Sequence, residues 1–99
     1  MNPETGFLLR TLTSHTSSVW SVAFSNTGLL ASGSFDYSVK VWNPETGSLL
    51  HTLTSHTSYV ESVAFSNTGL LASGSFDNSV KVWIRDNNMT YQRDKKPYL

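Results

Sequence analysis

The chain has 99 residues, room for one small domain, and its seven Lys plus Arg are balanced by seven Asp plus Glu. A formal net charge of zero gives no long-range pull on nucleic acid or an anionic membrane, so neither is expected as a partner. Cysteine is absent, which removes the disulfides that small secreted domains rely on. The opening residues show no signal peptide and no run nears the roughly 18 apolar residues of a membrane helix, so a cytoplasmic or nuclear protein is expected.

Residues 7–13 read as a strand, a copy of the stretch at 48–54. Residues 19–24, VWSVAF, mix β-branched and aromatic side chains and end at Ser25, Asn26, Thr27 and Gly28, a hairpin turn in which Asn and Gly tolerate positive φ. Residues 29–34 form a second strand and 35–37 a tight connection. Residues 38–42, SVKVW, alternate most clearly and form a third strand. Pro44 and Gly47 mark the next turn, and residues 49–53 supply a fourth strand. No apolar stripe of helical period persists.

The same order then recurs. Residues 2–42 and 43–83 align without a gap at a period of 41, and 36 of the 41 positions are identical. The five differences are Phe7/Ser48, Arg10/His51, Ser18/Tyr59, Trp20/Glu61 and Tyr37/Asn78. Four strands every 41 residues predict an all-β array of repeated sheets.

Two strings carry a family resemblance: TLTSHTSSVWSVAFSNTGLLASGSFDYSVKVW and TLTSHTSYVESVAFSNTGLLASGSFDNSVKVW. Over residues 7–83 the chain resembles WD40-repeat proteins. The resemblance implies four-stranded antiparallel β-propeller blades, two per chain, over residues 1–83 (units about 7–42 and 48–83), with residues 84–99 a partly disordered tail. The family's Gly-His pair is Ser14-His15 and Ser55-His56 here, and its Trp-Asp pair is Trp42-Asn43 and Trp83-Ile84.

The resemblance also implies a hydrogen-bonded tetrad in each blade: Trp42, Ser32, His15 and Asp36 in the first, Trp83, Ser73, His56 and Asp77 in the second. The chemistry agrees, because a buried Trp needs a partner for its one polar atom and a buried His and Asp are costly unless paired. A Ser, a His and an Asp also invite comparison with a hydrolase triad. Against it, the serine lies mid-strand, the set occurs once per repeat, and no strained Gly-x-Ser-x-Gly elbow is present. His15, His51 and His56 lack cysteine partners or helical spacing for a metal, and the glycines sit singly in turns. No catalysis, metal or cofactor is expected.

WD40 proteins that bind peptides use two positions flanking the valine that opens the first strand and one before the tetrad Asp. Carried over, these are Ser18, Trp20 and Phe35, and Tyr59, Glu61 and Phe76; Tyr37 follows the tetrad Asp in the same loop region. Two of the five inter-repeat differences fall on the six carried-over positions, and a third is Tyr37/Asn78. A constant framework with a varied aromatic rim fits a surface that reads a partner. With Glu61 beside the rings, a protein or short basic peptide is the expected ligand. The expected function is a non-catalytic protein-interaction scaffold; the alternative is a fragment or an engineered or duplicated building block of a larger propeller with no ligand of its own.

Propellers close with roughly four to eight blades, so a two-blade chain is expected to self-assemble. Residues 7–13 of one copy are expected to fill the vacant fourth-strand slot of the next. Three copies then make six blades and four make eight. Residues 89–93 are a rival for that slot, with disorder expected after about Arg93.

Overall fold

A computed structural model of the chain describes residues 6–85 and 91–93. Eight strands follow in order: β1 (Val19–Phe24), β2 (Leu30–Ser34), β3 (Val39–Asn43), β4 (Ser48–Leu53), β5 (Val60–Phe65), β6 (Leu71–Ser75), β7 (Val80–Arg85) and β8 (Tyr91–Arg93). They build two antiparallel four-stranded sheets, β1-β2-β3-β4 and β5-β6-β7-β8.

Turn chemistry sets the boundaries. Ser25 Oγ accepts the N–H groups of Thr27 and Leu29, and Gly28 takes a φ of 92°, a left-handed value that costs glycine nothing. Ser66 and Gly69 repeat the arrangement one period later. The β2–β3 turn differs between copies, because its left-handed residue is Tyr37 (φ 77°) in the first and Asn78 (φ 72°) in the second.

Pairing register sorts each sheet into two faces. Ala23 opposes Ala31 and Val41 opposes Ala31 from the other side, while Val22 opposes Ser32 and Leu30 opposes Trp42. The first sheet therefore carries Ala31, Gly33, Val39 and Val41 on one face and Val22, Phe24, Leu30, Ser32 and Trp42 on the other. The second sheet repeats this one period on. The core forms where the Ala31–Val39–Val41 face of the first sheet meets Val60, Val63 and Leu71 of the second. Gly33 allows that approach: a Cβ there would lie 2.7 Å from Val60 Cγ1 and 3.1 Å from Val63 Cγ1.

Two expectations change. Residues 7–13 form no strand. Arg10 instead donates from its guanidinium to the carbonyls of Pro44 (2.9 Å) and Glu45 (2.7 Å), holding the opening segment against the β3–β4 turn of its own sheet. A strand needs a partner edge, and the edge foreseen for it, along β7, is taken by β8. The tail accordingly begins in order, with Ile84 and Arg85 continuing β7 and residues 91–93 serving as fourth strand. Residues 1–5, 86–90 and 94–99 lie outside the described residues, so the disorder expected after Arg93 lies outside them too.

Candidate functional site

In each sheet a chain of four side chains ties the loop before the first strand to the second and third strands. Trp42 Nε1–H donates to Ser32 Oγ (2.9 Å), Ser32 Oγ lies 2.6 Å from His15 Nε2, and His15 Nδ1 lies 2.7 Å from Asp36 Oδ2. The matching distances in the second sheet are 3.0, 2.7 and 2.8 Å from Trp83 through Ser73 and His56 to Asp77. The ends fix the direction of donation. An indole only donates and a carboxylate only accepts, so with a neutral imidazole Nδ1–H donates to the carboxylate and Nε2 accepts from the serine hydroxyl.

The carboxylates are the most heavily bonded members. Asp36 also accepts the Thr16 N–H (3.0 Å), the Ser38 N–H (2.9 Å) and the Ser38 hydroxyl. Burial pushes its carboxyl up, but the bonds from Ser38, His15 and Thr16 outweigh that and hold it well below the usual carboxylate range. Asp77 is held low in the same way, by the Ser79 hydroxyl first and against the push of burial, with His56 and the N–H groups of Thr57 and Ser79 adding. Thr16, Ser38 and their counterparts escaped the sequence reading. The Asp-x-Ser spacing is the signal that would have found the serines, since Asx turns bond their own backbone two residues on.

Ser32 lies mid-strand and buried, its oxygen already accepting the Trp42 N–H. That arrangement fixes a backbone; it does not present a nucleophile. Among the described residues, every buried side-chain nitrogen and oxygen has a partner.

The rim residues form the second constellation. A bulge between Val19 and Ser21 makes Trp20 the extra residue of β1, and the same irregularity places Glu61 in β5. Phe35 N–H donates to the Ser18 carbonyl (2.9 Å) and Phe76 N–H to the Tyr59 carbonyl (3.0 Å), which seats the β2–β3 turn beside the loop before β1. Trp20 stacks on Phe35 with centroids 4.6 Å apart, and Tyr59 of the second sheet stacks on Phe35 at 4.1 Å. Phe76 lies 5.6 Å from Tyr59, and Tyr37 6.0 Å from Tyr59. Five of the seven rim residues thus share one cluster across both sheets; Ser18 and Glu61 are exposed beside it. Phe35, foreseen as a contact residue, is half-buried between two rings and works chiefly as a staple between the sheets. Trp20 and Phe76 keep 58% and 53% of their surface in solvent.

The profile of the WD domain, G-beta repeat, matches residues 6–43 and 47–83. The chain belongs to the WD40-repeat family. The WD40 β-propeller domain of Doa1 superposes with a TM-score of 0.80 at 30% identity, covering 86% of this chain and 29% of that one. The computationally designed Ika4 protein gives 0.70 at 37% identity, covering 80% of this chain and 48% of that one. The two WD40 repeats therefore span less than half the length of either. No curated protein sequence matches the chain significantly.

Proposed function

We propose that the chain is a non-catalytic protein-interaction scaffold whose contact surface is the aromatic rim of its WD40 repeats, taking a protein or short basic peptide. The observation that carries this reading is the ring cluster. Trp20, Phe35, Tyr37, Tyr59 and Phe76 pack around Phe35 and Tyr59 into one part-exposed apolar face. Exposed aromatic groups held in fixed geometry give large contact area at little entropic cost, and such residues dominate interface energetics. Glu61, exposed at the bulge position that Trp20 occupies in the first sheet, adds a negative charge, and ring faces attract cations. The WD40 tetrads do no chemistry in this reading; they hold the turns that carry the rings.

A second reading has its own support. Identity at 36 of 41 positions and similarity to a designed propeller suit a building block with no ligand of its own. Titration of Arg- and Lys-containing peptides against length-matched acidic ones, followed by isothermal titration calorimetry, separates the two. The scaffold reading expects saturable binding of the basic set, weakened at least about fivefold by Trp20→Ala and by Tyr59→Ala, the threshold of about 1 kcal/mol for a contributing contact. Absence of binding by either set leaves the building block.

A further inference from the structure

The two sheets show what covers each kind of face, because each kind occurs once covered and once bare. The tetrad-bearing face of the second sheet lies against the first: Val60 and Leu71 are fully buried and Val63 is 6% exposed. The same face of the first sheet lies open, with its copy of Val63, Val22, at 62%. The opposite face is reversed. Val39 is fully buried, and its copy Val80 is 71% exposed. On the open tetrad face a cavity of about 110 Å³ is lined by Leu12, His15, Val19, Val22, Leu30, Ser32 and Trp42. One period later every one of those positions is buried.

Gly74 adds an independent sign. Gly33 is required by the approach of Val60 and Val63, but a Cβ on Gly74 would meet only Ser62 Cβ at 4.0 Å. A strand-interior glycine weakens a strand, and among the described residues nothing needs one at position 74.

We infer that a second copy of this chain docks head to tail, laying the Val19–Val22–Leu30 face of its first sheet on the Gly74–Val80–Val82 face of this one. The interface is the internal seam repeated. Its polar contacts carry over: Val63 N–H donates to Ser21 Oγ (3.1 Å) and the Asn26 side-chain amide to the Asn67 carbonyl (3.0 Å) within the chain. Between copies, Val22 N–H of the incoming chain donates to Ser62 Oγ of this one. The donor and acceptor faces differ, so the contact is heterologous and propagates until a ring closes. Two blades per copy close at two copies with four blades, three with six or four with eight. Face-to-face packing replaces strand donation by residues 7–13 as the means of assembly, and it is independent of any ligand on the rim.

Native mass spectrometry and sedimentation of the 99-residue chain test this. The expected result is one closed species at two, three or four times the 11.0 kDa chain mass. Gly74→Val places two methyls where the second copy's Val19 must sit and brings its Cβ only to ordinary contact with Ser62 in its own chain, so it reduces the mass to 11.0 kDa with the β-sheet circular dichroism and cooperative melting kept. Val80→Lys does the same by charging the exposed face, and serves if Gly74→Val does not fold. A wild-type chain that stays at single mass into the millimolar range, an open-ended size distribution, or a Val80→Lys variant that keeps the wild-type mass overturns the inference.

Discussion

The two WD40 repeats are nearly one sequence in two environments. Val22 and Val63 have the same neighbours along the chain for several residues either way, apart from positions 18 and 20, yet one is open to water and the other is core. Their first two strands, the two turns that follow them and the tetrads coincide, with tetrad distances agreeing within about 0.1 Å. Local sequence therefore decides the sheet and its internal locks, and the neighbouring sheet decides burial. Repeat proteins behave this way in general, with intrinsic and interface energies roughly separable. Here one chain contains both halves of the comparison.

The sharpest way to break it is to delete the central hydroxyl of each tetrad. Ser73→Ala leaves the Trp83 N–H and His56 Nε2 facing a methyl group inside the seam, an expected loss of about 2 kcal/mol for buried unpaired groups. Ser32→Ala removes the same bonds beside the open cavity, where water can replace the hydroxyl, and costs about 1 kcal/mol. Both are read from denaturant midpoints in the single-copy Gly74→Val background. Equal losses would mean that the first sheet's face is covered within one chain. In the assembled wild type the two costs converge.

A smaller effect separates the β2–β3 turns. Left-handed backbone suits Asn and strains Tyr by about 1 kcal/mol. Asn78→Tyr is expected to destabilise by about that amount. Tyr37→Asn regains about half of it, since it gives up the ring contact with Tyr59. A Tyr37→Asn variant no more stable than the parent in thermal melts would show that the turn carries no strain. Strain tolerated at a rim residue is what a contact surface predicts, because the ring is then kept for what it touches.

Most strand positions were legible in the sequence. The strand pattern at residues 19–24 coincides with β1, and the patterns at 29–34, 38–42 and 49–53 match β2, β3 and β4 with shifts of about one residue, because the Ser-Asn-Thr-Gly and Asn-Pro-Glu-Thr-Gly turns punctuate them chemically. The tetrad members were named from the family pattern, and the structure brings all eight into hydrogen-bond distance of their partners. What escaped depends on partners distant in sequence. Thr11-Leu12-Thr13 and Thr52-Leu53-Thr54 are the same string, but only the second follows a hairpin from β3, so only there does a strand form. The family pattern makes Phe35 a contact residue; its role as a staple needs Tyr59 of the next repeat 4.1 Å away. The contrast between Gly33 and Gly74 is invisible in identical sequence.

The claim beneath all of this is that each sheet is pinned by a tryptophan whose indole N–H is locked inside a tetrad. Hydrogen exchange of the three indole protons by NMR tests it directly. Trp42 and Trp83 are expected to exchange slowly, in step with the protected amides of their sheets, while solvent-exposed Trp20 exchanges at the rate of a free indole. Three indole protons exchanging at that fast common rate would contradict the account.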